Sequence, residues 1–236
     1  MNLGLSVMGS TRHRAASGSP VLIQSKDGGN GSGTASATTS AVGYASTTTT
    51  GSLLVLVAWA ANTSSSTDAT VSGFSVSTSG FSWTSAGALS MYTAGSGHAA
   101  GGVQIFFIAN ASSMATSTHT TVTATGASDN TVIVEFSLYE FGPMNGTKDT
   151  SQSGTGTSSV PSTTNLSTSA TDLIFVAYEA ADGHSTEGSG FTLGVNSANV
   201  NYGGSQYNLS ANSGSIATAF AGSRNNWAAV SAAFKI

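Results

Sequence analysis

The chain has no cysteine and very few charged residues. Lysine and arginine number 6 and aspartate and glutamate number 10, so 7% of the 236 residues are charged, against about 25% in an ordinary soluble domain. The missing cysteine excludes disulfides and thiolate metal sites. The few basic residues are dispersed along the chain, so the basic surface that nucleic-acid binding requires is absent and no nucleic-acid partner is expected.

Long hydrophobic runs are also missing. The longest, residues 53–61, has the length of a strand and falls well short of the roughly 18 apolar residues of a membrane span, so no membrane partner is expected. The two arginines near the N-terminus follow the first apolar residues, which is the reverse of their order in a secretory signal. The sequence therefore predicts a chain without a membrane anchor or signal peptide.

The first 19 residues are predicted to form an N-terminal arm. A short segment rich in glycine, serine and alanine is not expected to stay ordered alone. We therefore expect a neighbouring subunit to hold the arm. Its apolar side chains would be buried in that assembly contact: Leu3, Leu5, Val7 and Met8.

Serine and threonine make up about a third of the chain, and 39% of the residues are hydrophobic. Hydroxyl side chains suit strands and solvate a surface, but they provide little repulsion between molecules. This composition is typical of a protein that packs against copies of itself or against other structural proteins.

Alternation with a period of two residues recurs along the chain, and helical periodicity does not. Alternating segments are residues 119–125, 131–141, 216–220 and 230–236, and continuously apolar segments are residues 53–59, 103–108 and 173–178. The continuous segments predict strands that are buried on both faces. Clusters of glycine, serine and asparagine at 27–33, 95–102 and 196–204 are typical of turns. The sequence predicts an all-β fold, an antiparallel, jelly-roll-like β-sandwich.

A faint internal repeat divides this sandwich. Residues 54–59 (LVLVAW) are similar to residues 173–178 (LIFVAY), and a Gly-Phe pair follows each, at 73–74 or 80–81 and at 190–191. We predict two similar β-halves around one core, within a single domain of residues 20–236. Residues 142–166 would form a crossover connection between the halves.

The order of these segments resembles a broad group of bacterial and phage β-sandwich domains. The similar segments are Gly51-Ser52-Leu53-Leu54-Val55, Val122-Thr123, Leu138-Tyr139-Glu140-Phe141, Gly188-Ser189-Gly190-Phe191-Thr192 and Ala232-Ala233-Phe234-Lys235. Together they span most of residues 20–236, although Phe141-Gly142-Pro143 departs from the pattern. The resemblance implies a jelly-roll-like or concanavalin-like sandwich of surface, adhesive or virion proteins. It implies no agreed activity.

One polar cluster is a candidate for chemistry. Glu179, Asp182, His184 and Glu187 follow the buried strand at 173–178 and could converge on a metal ion or act as acid and base. However, acidic residues in loops are usually solvated, and Asp182-Gly183 is an ordinary turn dipeptide. Glu135 and Glu140 lie five residues apart and therefore on opposite faces of a strand. We predict no catalytic, cofactor-binding or metal-binding residues, and no enzyme.

Carbohydrate binding is the alternative function. Sandwich lectins present tyrosine beside asparagine on loops, and the segment 196–208 offers such residues. The candidate glycan contacts are Tyr202, Tyr207, Asn199 and Asn201. Tyrosines that close the core at the end of a sheet would give the same pattern.

The composition favours a structural assembly protein, a phage capsid decoration protein or a similar virion component. The expected partners are further copies of the chain or other structural proteins of a particle, with glycans as a second option. The expected location is a virion or an extracellular surface.

Overall fold

The fold was analysed in a computed structural model. The structure describes residues 20–63, 69–93, 100–127, 130–144, 146–198, 200 and 202–236. The predicted arm, residues 1–19, lies outside the described residues. Within them the chain forms strands and no helix, so no helix there could cross a membrane.

The described residues contain sixteen strands. The first nine are β1 (Val21–Thr34), β2 (Ser36–Thr38), β3 (Ser52–Thr63), β4 (Val71–Thr78), β5 (Thr84–Ser85), β6 (Ser90–Thr93), β7 (Ala100–Ala111), β8 (Thr120–Gly126) and β9 (Thr131–Gly142). The remaining seven are β10 (Lys148–Ser159), β11 (Leu166–Thr168), β12 (Asp172–Ala180), β13 (Thr192–Asn196), β14 (Gly204–Ala211), β15 (Gly214–Ile216) and β16 (Arg224–Lys235).

These strands form four antiparallel sheets. Inner sheet 1 has the order β1-β9-β3-β7-β5, with β6 also paired to β7, and inner sheet 2 has the order β10-β16-β12-β14-β13. Outer sheet 1 is β2-β8-β4, and outer sheet 2 is β11-β15. The predicted all-β sandwich is therefore confirmed.

Three apolar clusters hold the sheets together. The central cluster joins the two inner sheets through alternate residues of β3 and β12, among them Val55, Val57 and Phe175. The intervening residues face outward: Leu56 packs under outer sheet 1, and Val176 packs under outer sheet 2. This explains why β3 and β12 are continuously apolar, because each strand is buried on both faces. The halves share one core, as predicted, and each half has a second core of its own.

The two halves have the same strand pairing. In the first half β9 lies between β1 and β3, and β3 pairs with β7; in the second half β16 lies between β10 and β12, and β12 pairs with β14. The outer pair β2-β8 likewise corresponds to β11-β15. The predicted repeat therefore extends to the strand order of the inner sheets and to one outer pair, whereas β4 and β6 have no counterpart in the second half.

Irregularities in the ladders fix the alignment of the repeat. The β3–β7 ladder shifts register between Ser52 and Leu54, and the β12–β14 ladder shifts between Asp172 and Ile174. These shared bulges align residues 52–59 with residues 172–179. The predicted alignment of 54–59 with 173–178 was wrong by one residue, and a one-residue slip exchanges the two faces of a strand.

The Gly-Phe turn also repeats. Phe81 N donates to the Thr78 carbonyl (3.2 Å) and Phe191 N donates to the Gly188 carbonyl (3.1 Å). The glycines before these phenylalanines have φ of 76° and 83°, which is the left-handed conformation required at the third position of a type II turn. Of the two predicted pairs in the first half, residues 80–81 are the equivalent of residues 190–191.

The prediction of a turn at residues 27–33 was wrong, because these residues belong to β1. Their glycines reflect close packing rather than chain reversal. An added Cβ at Gly31 would lie 2.0 Å from the carbonyl oxygen of Thr38, and one at Gly33 would lie 2.4 Å from that of Ser36. The glycines therefore allow β2, in the chain that returns after Ala35, to pack directly on β1.

The prediction of a crossover at residues 142–166 was also wrong over most of its length. Residues 148–159 form β10, which pairs with β16 along the edge of inner sheet 2. Its serine, threonine and glycine residues gave no apolar alternation, because an edge strand here buries little. Of the alternating segment 216–220, only Ile216 lies in a strand, β15. Gly101 and Gly102, which belong to the predicted turn at 95–102, lie in β7.

Candidate functional site

Polar side chains from the first half reach into the second half at one end of the central core. The Tyr139 hydroxyl lies 2.6 Å from Ser205 Oγ and accepts a hydrogen bond from Val195 N (2.7 Å). Ser205 Oγ in turn donates to the Val195 carbonyl (2.9 Å). Burial raises the pKa of Tyr139 far above its ordinary value, so the hydroxyl stays protonated. Tyr139 thus fastens the β13–β14 hairpin to β9.

Glu135 holds the loop that connects the two strands of this hairpin. Its carboxylate accepts hydrogen bonds from Ser197 Oγ (2.8 Å), Ala198 N (3.2 Å) and Val200 N (3.3 Å). The residue is 2% exposed. Three donors on one carboxylate offset much of the cost of burying it. Glu135 therefore orders the loop of the opposite half.

A third contact joins the middle strands of the inner sheets, β3 and β12, near the same end of the core. Trp59 Nε1 donates to the carbonyl oxygen of Tyr178 at 2.9 Å, and the indole is fully buried. Gly203 approaches the same ring so closely that an added Cβ would lie 2.7 Å from Trp59 Cδ1 and from Glu179 Oε2. This end of the core is therefore a tightly packed polar seam between the halves.

Removing the Tyr139 hydroxyl tests the seam. The Tyr139→Phe variant is expected to lose about 2–4 kcal/mol of unfolding free energy, because the Val195 N–H and the Ser205 hydroxyl lose their buried partner. Urea unfolding followed by tryptophan fluorescence measures the loss. The exposed Tyr202→Phe change serves as the control and should alter stability by less than about 0.5 kcal/mol. Equal stability of the two variants would show that the hydroxyl does not fasten the halves.

The predicted opposition of Glu135 and Glu140 is confirmed. Glu140 lies on the other face of β9 and accepts hydrogen bonds from Gln24 Nε2 (2.6 Å), Thr49 N (2.6 Å) and Ser52 Oγ (3.0 Å). It is fully buried. Each glutamate therefore holds a loop on its own side, and the two do not form a pair.

The acidic cluster after β12 does not come together. Glu179 is fully buried beside Trp59, whereas Asp182 accepts hydrogen bonds from the backbone and side chain of Asn225 (2.7 and 2.8 Å). His184 is exposed and meets the ring of Tyr202 edge-on at 5.4 Å. In the part of the chain that the structure describes, no group of three or more histidine, aspartate or glutamate side chains could hold a metal ion.

The candidate glycan contacts Tyr202 and Tyr207 likewise lie in different surroundings. Tyr202 is 40% exposed, but Tyr207 is 7% exposed and packs edge-on against Phe141 in the central core. Tyr207 is thus a core residue and leaves the predicted contact set. Asn199 and Asn201 lie outside the described residues, as do the arm residues Leu3, Leu5, Val7 and Met8.

A second buried acidic group lies at the opposite end of inner sheet 2. The Asp172 side chain is fully buried, and neither of its carboxylate oxygens has a hydrogen-bond partner among the described residues. Desolvation, and then the neighbouring Asp149 carboxylate, raise its pKa to about 6. The hydrogen bond from the Ser169 backbone and the contact with Lys235, at 3.4 Å, hold the pKa of Asp149 below its ordinary value. In the first half the equivalent of Asp172 is the neutral Ser52.

Burial of these carboxylates leaves the outside of the molecule almost uncharged. Twelve of the described residues are charged, and four of them, Glu135, Glu140, Asp172 and Glu179, are buried. The others are exposed or half-exposed and balance in sign: Lys26, Lys148, Arg224 and Lys235 against Asp27, Asp149, Asp182 and Glu187. The composition predicted a low charge, but it could not show that four of the twelve charged residues that the structure describes are buried.

Sequence reasoning missed the roles of Tyr139, Glu135 and Asp172. Tyr139 and Glu135 lie in a strand that was predicted correctly, and their spacing of four residues places both on one face. That spacing was the available signal, but their partners lie about 60 residues away in the second half. Asp172 gave no signal, because a single aspartate before an apolar strand is ordinary.

A scan against family models, a search of curated proteins and a search of solved structures each found no match.

Proposed function

We propose that this chain is a structural component of a virion, a capsid decoration protein or a similar particle protein. The scarcity of charged side chains on the surface supports this proposal most strongly. The described residues expose, fully or in part, four positive and four negative side chains. Exposed charges help to keep protein molecules apart in solution, and they hold water that a contact must remove. A surface with so little charge favours lasting contact with other protein surfaces.

The uncharged faces are formed by rows of hydroxyl groups. On outer sheet 1 the Thr38 and Thr123 hydroxyls lie 2.8 Å apart, and the Ser72 and Thr125 hydroxyls lie 3.0 Å apart. Hydroxyls that bond to one another need fewer water molecules than charged groups do. Such a face loses less hydration energy than a charged face when a second protein covers it.

The start of β1 supports a role for the N-terminal arm. Val21 is 52% exposed and Ile23 is 41% exposed, and both lie on an edge strand directly after the arm. An edge strand with exposed apolar side chains is a preferred place for contact with another chain. The apolar arm residues and the first residues of β1 would then form one continuous contact with a neighbouring subunit.

Deletion of residues 1–19 tests this role. We expect the truncated protein to keep the urea unfolding midpoint of the full chain, because β1 and its partner β9 remain. It should fail to join particles or oligomers, as measured by analytical ultracentrifugation and by incorporation into particles. A full-length variant with Leu3, Leu5, Val7 and Met8 changed to serine separates the loss of apolar contact from the loss of length. Normal incorporation of both variants would contradict the proposal.

Carbohydrate binding by the loop after β13 is the second candidate function. The exposed ring of Tyr202, held edge-on by His184, is the observation that favours it. Unchanged glycan binding by Tyr202→Ala would count against this candidate.

A further inference from the structure

A cleft of about 340 Å³ lies between the halves, on the flank opposite the β13–β14 hairpin. This volume falls at the lower end of small-molecule sites, which span about 300–1,000 Å³. Its walls come from β6 in the first half and from β10 and β16 in the second: Met91, Tyr92, Thr93, Thr155, Thr157 and Asn226.

Asn226 has an unusual backbone conformation. Its φ is 43°, in the left-handed region that residues other than glycine rarely adopt. Such a conformation costs about 1–3 kcal/mol and persists only where the surroundings enforce it. An asparagine is among the residues that tolerate it best. The outlier lies on the wall of the cleft.

The internal repeat shows that the positive φ at this position occurs in the second half alone. Ala61 pairs with Ile133 in the first half, and its equivalent, Ala181, donates its N–H to the Asn226 carbonyl (3.0 Å) in the second. Ile133 therefore occupies the position of Asn226. Ile133 is not among the residues of positive φ, and its side chain packs against the central core. At this one position a packed apolar residue is replaced by a strained polar one.

The groups around the cleft suit a neutral ligand rich in hydroxyls. Within the described part of the chain, no hydrogen bond engages the Thr155 hydroxyl, the Thr157 hydroxyl or the Asn226 side-chain amide, and no charged side chain lines the cleft. These groups can both donate and accept hydrogen bonds. The half-buried Met91 adds an apolar side chain to the wall. The lining offers no charged side chain to pair with an ionic ligand.

We propose that this cleft binds one residue of a neutral saccharide. The threonine hydroxyls and the Asn226 amide would bond the sugar hydroxyls, and Met91 would pack against its C–H face. The site differs from the predicted contacts around Tyr202, and it would give a structural protein a point of attachment to a glycan surface.

A titration followed by ¹H–¹⁵N correlation spectra tests the proposal. D-glucose, D-galactose and N-acetyl-D-glucosamine are each added to the full chain at millimolar concentrations. We expect at least one sugar to give saturable shifts concentrated on the amides of Thr155, Thr157 and Asn226. Absence of saturable shifts with all three sugars, or shifts confined to other regions, would overturn the proposal.

Two variants test the groups themselves. Asn226→Gly removes the amide but keeps a residue that adopts positive φ freely, so the backbone is preserved. Thr157→Val removes a hydroxyl at nearly constant shape. Each should weaken sugar binding about tenfold, which corresponds to the loss of one good hydrogen bond of about 1.4 kcal/mol. Thr123→Val on outer sheet 1 is the control and should bind normally. Unchanged binding by both cleft variants would contradict the assignment.

Discussion

Gly31→Ala is expected to lower the free energy of unfolding by about 3 kcal/mol or more. The new Cβ would lie 2.0 Å from the carbonyl oxygen and 2.6 Å from the carbonyl carbon of Thr38. Both are backbone atoms, so no side-chain rotation relieves the clash. The chain turns between the two segments at Ala35, whose φ is 63°. To accommodate the methyl group, β1 would have to separate from this turn or from β9. The expected loss of unfolding free energy is therefore at the upper end of the range for overpacked sites.

Gly73→Ala is the matched control. Gly73 also lies in a strand, β4, but the nearest atom to its added Cβ is the Thr125 hydroxyl oxygen at 3.6 Å. We expect a change within about 1 kcal/mol, because an alanine that fits also restricts the unfolded chain. Urea unfolding of both variants, followed by tryptophan fluorescence, gives the comparison. Equal stability of the two variants would mean that β1 and the returning chain are not packed as described.

Asp172→Asn is expected to stabilise the protein at neutral pH and to remove much of the pH dependence of its stability. The pKa of Asp172 is about 6 in the folded protein, against about 3.9 in an unfolded chain. The folded state therefore holds the proton more tightly, and its stability falls as pH rises from about 4 through about 6. The shift corresponds to about 3 kcal/mol between the two limits.

The neighbouring charged groups do not reverse the fall in stability with rising pH. Asp149 has a lowered pKa, so its contribution is lost only as pH falls below about 4. Lys235 pairs with Asp149 at 3.4 Å and partly opposes the shift of Asp172. Lys148 points elsewhere, since its ammonium group donates to the Ala86 carbonyl (3.0 Å). Between pH 5 and pH 8 the Asp172 carboxyl is thus the group of this cluster whose protonation changes.

Urea unfolding at intervals between pH 5 and pH 8 measures the effect. The wild type should lose stability over this range, whereas Asp172→Asn should stay nearly constant and exceed the wild type by about 2–3 kcal/mol at pH 8. The exposed Glu187→Gln change is the control for loss of one negative charge and should follow the wild type. A wild-type profile without this loss, or the same loss in Asp172→Asn, would contradict the burial of an unpaired carboxyl.

The sequence predicted the strands whose two faces are both apolar. The continuously apolar segments 53–59, 103–108 and 173–178 all lie in inner-sheet strands, as does the alternating segment 131–141, because burial of one or both faces leaves a regular apolar pattern in the sequence. It missed β1 and β10, whose serine, threonine and glycine residues cover an edge. There the ladder with a neighbouring strand decides the structure, and that neighbour is more than 60 residues away.

The repeat was predicted, but its alignment required the ladders. Similar apolar strands can be aligned in either of two adjacent registers, and only the bulges opposite Ser52 and Asp172 choose between them. The cleft was not predictable for a related reason. Its walls come from β6, β10 and β16, and Asn226 is distinguished by its backbone angle rather than by its residue type.

Protein mass spectrometry on purified particles tests the proposed function most directly. The particles are those produced by the phage or host that encodes the chain, and the chain is quantified against the major structural proteins. A structural component should copurify with intact particles in a fixed ratio that survives repeated gradient purification. Recovery of the chain only in the soluble fraction, or in a ratio that falls with each purification, would contradict a virion role.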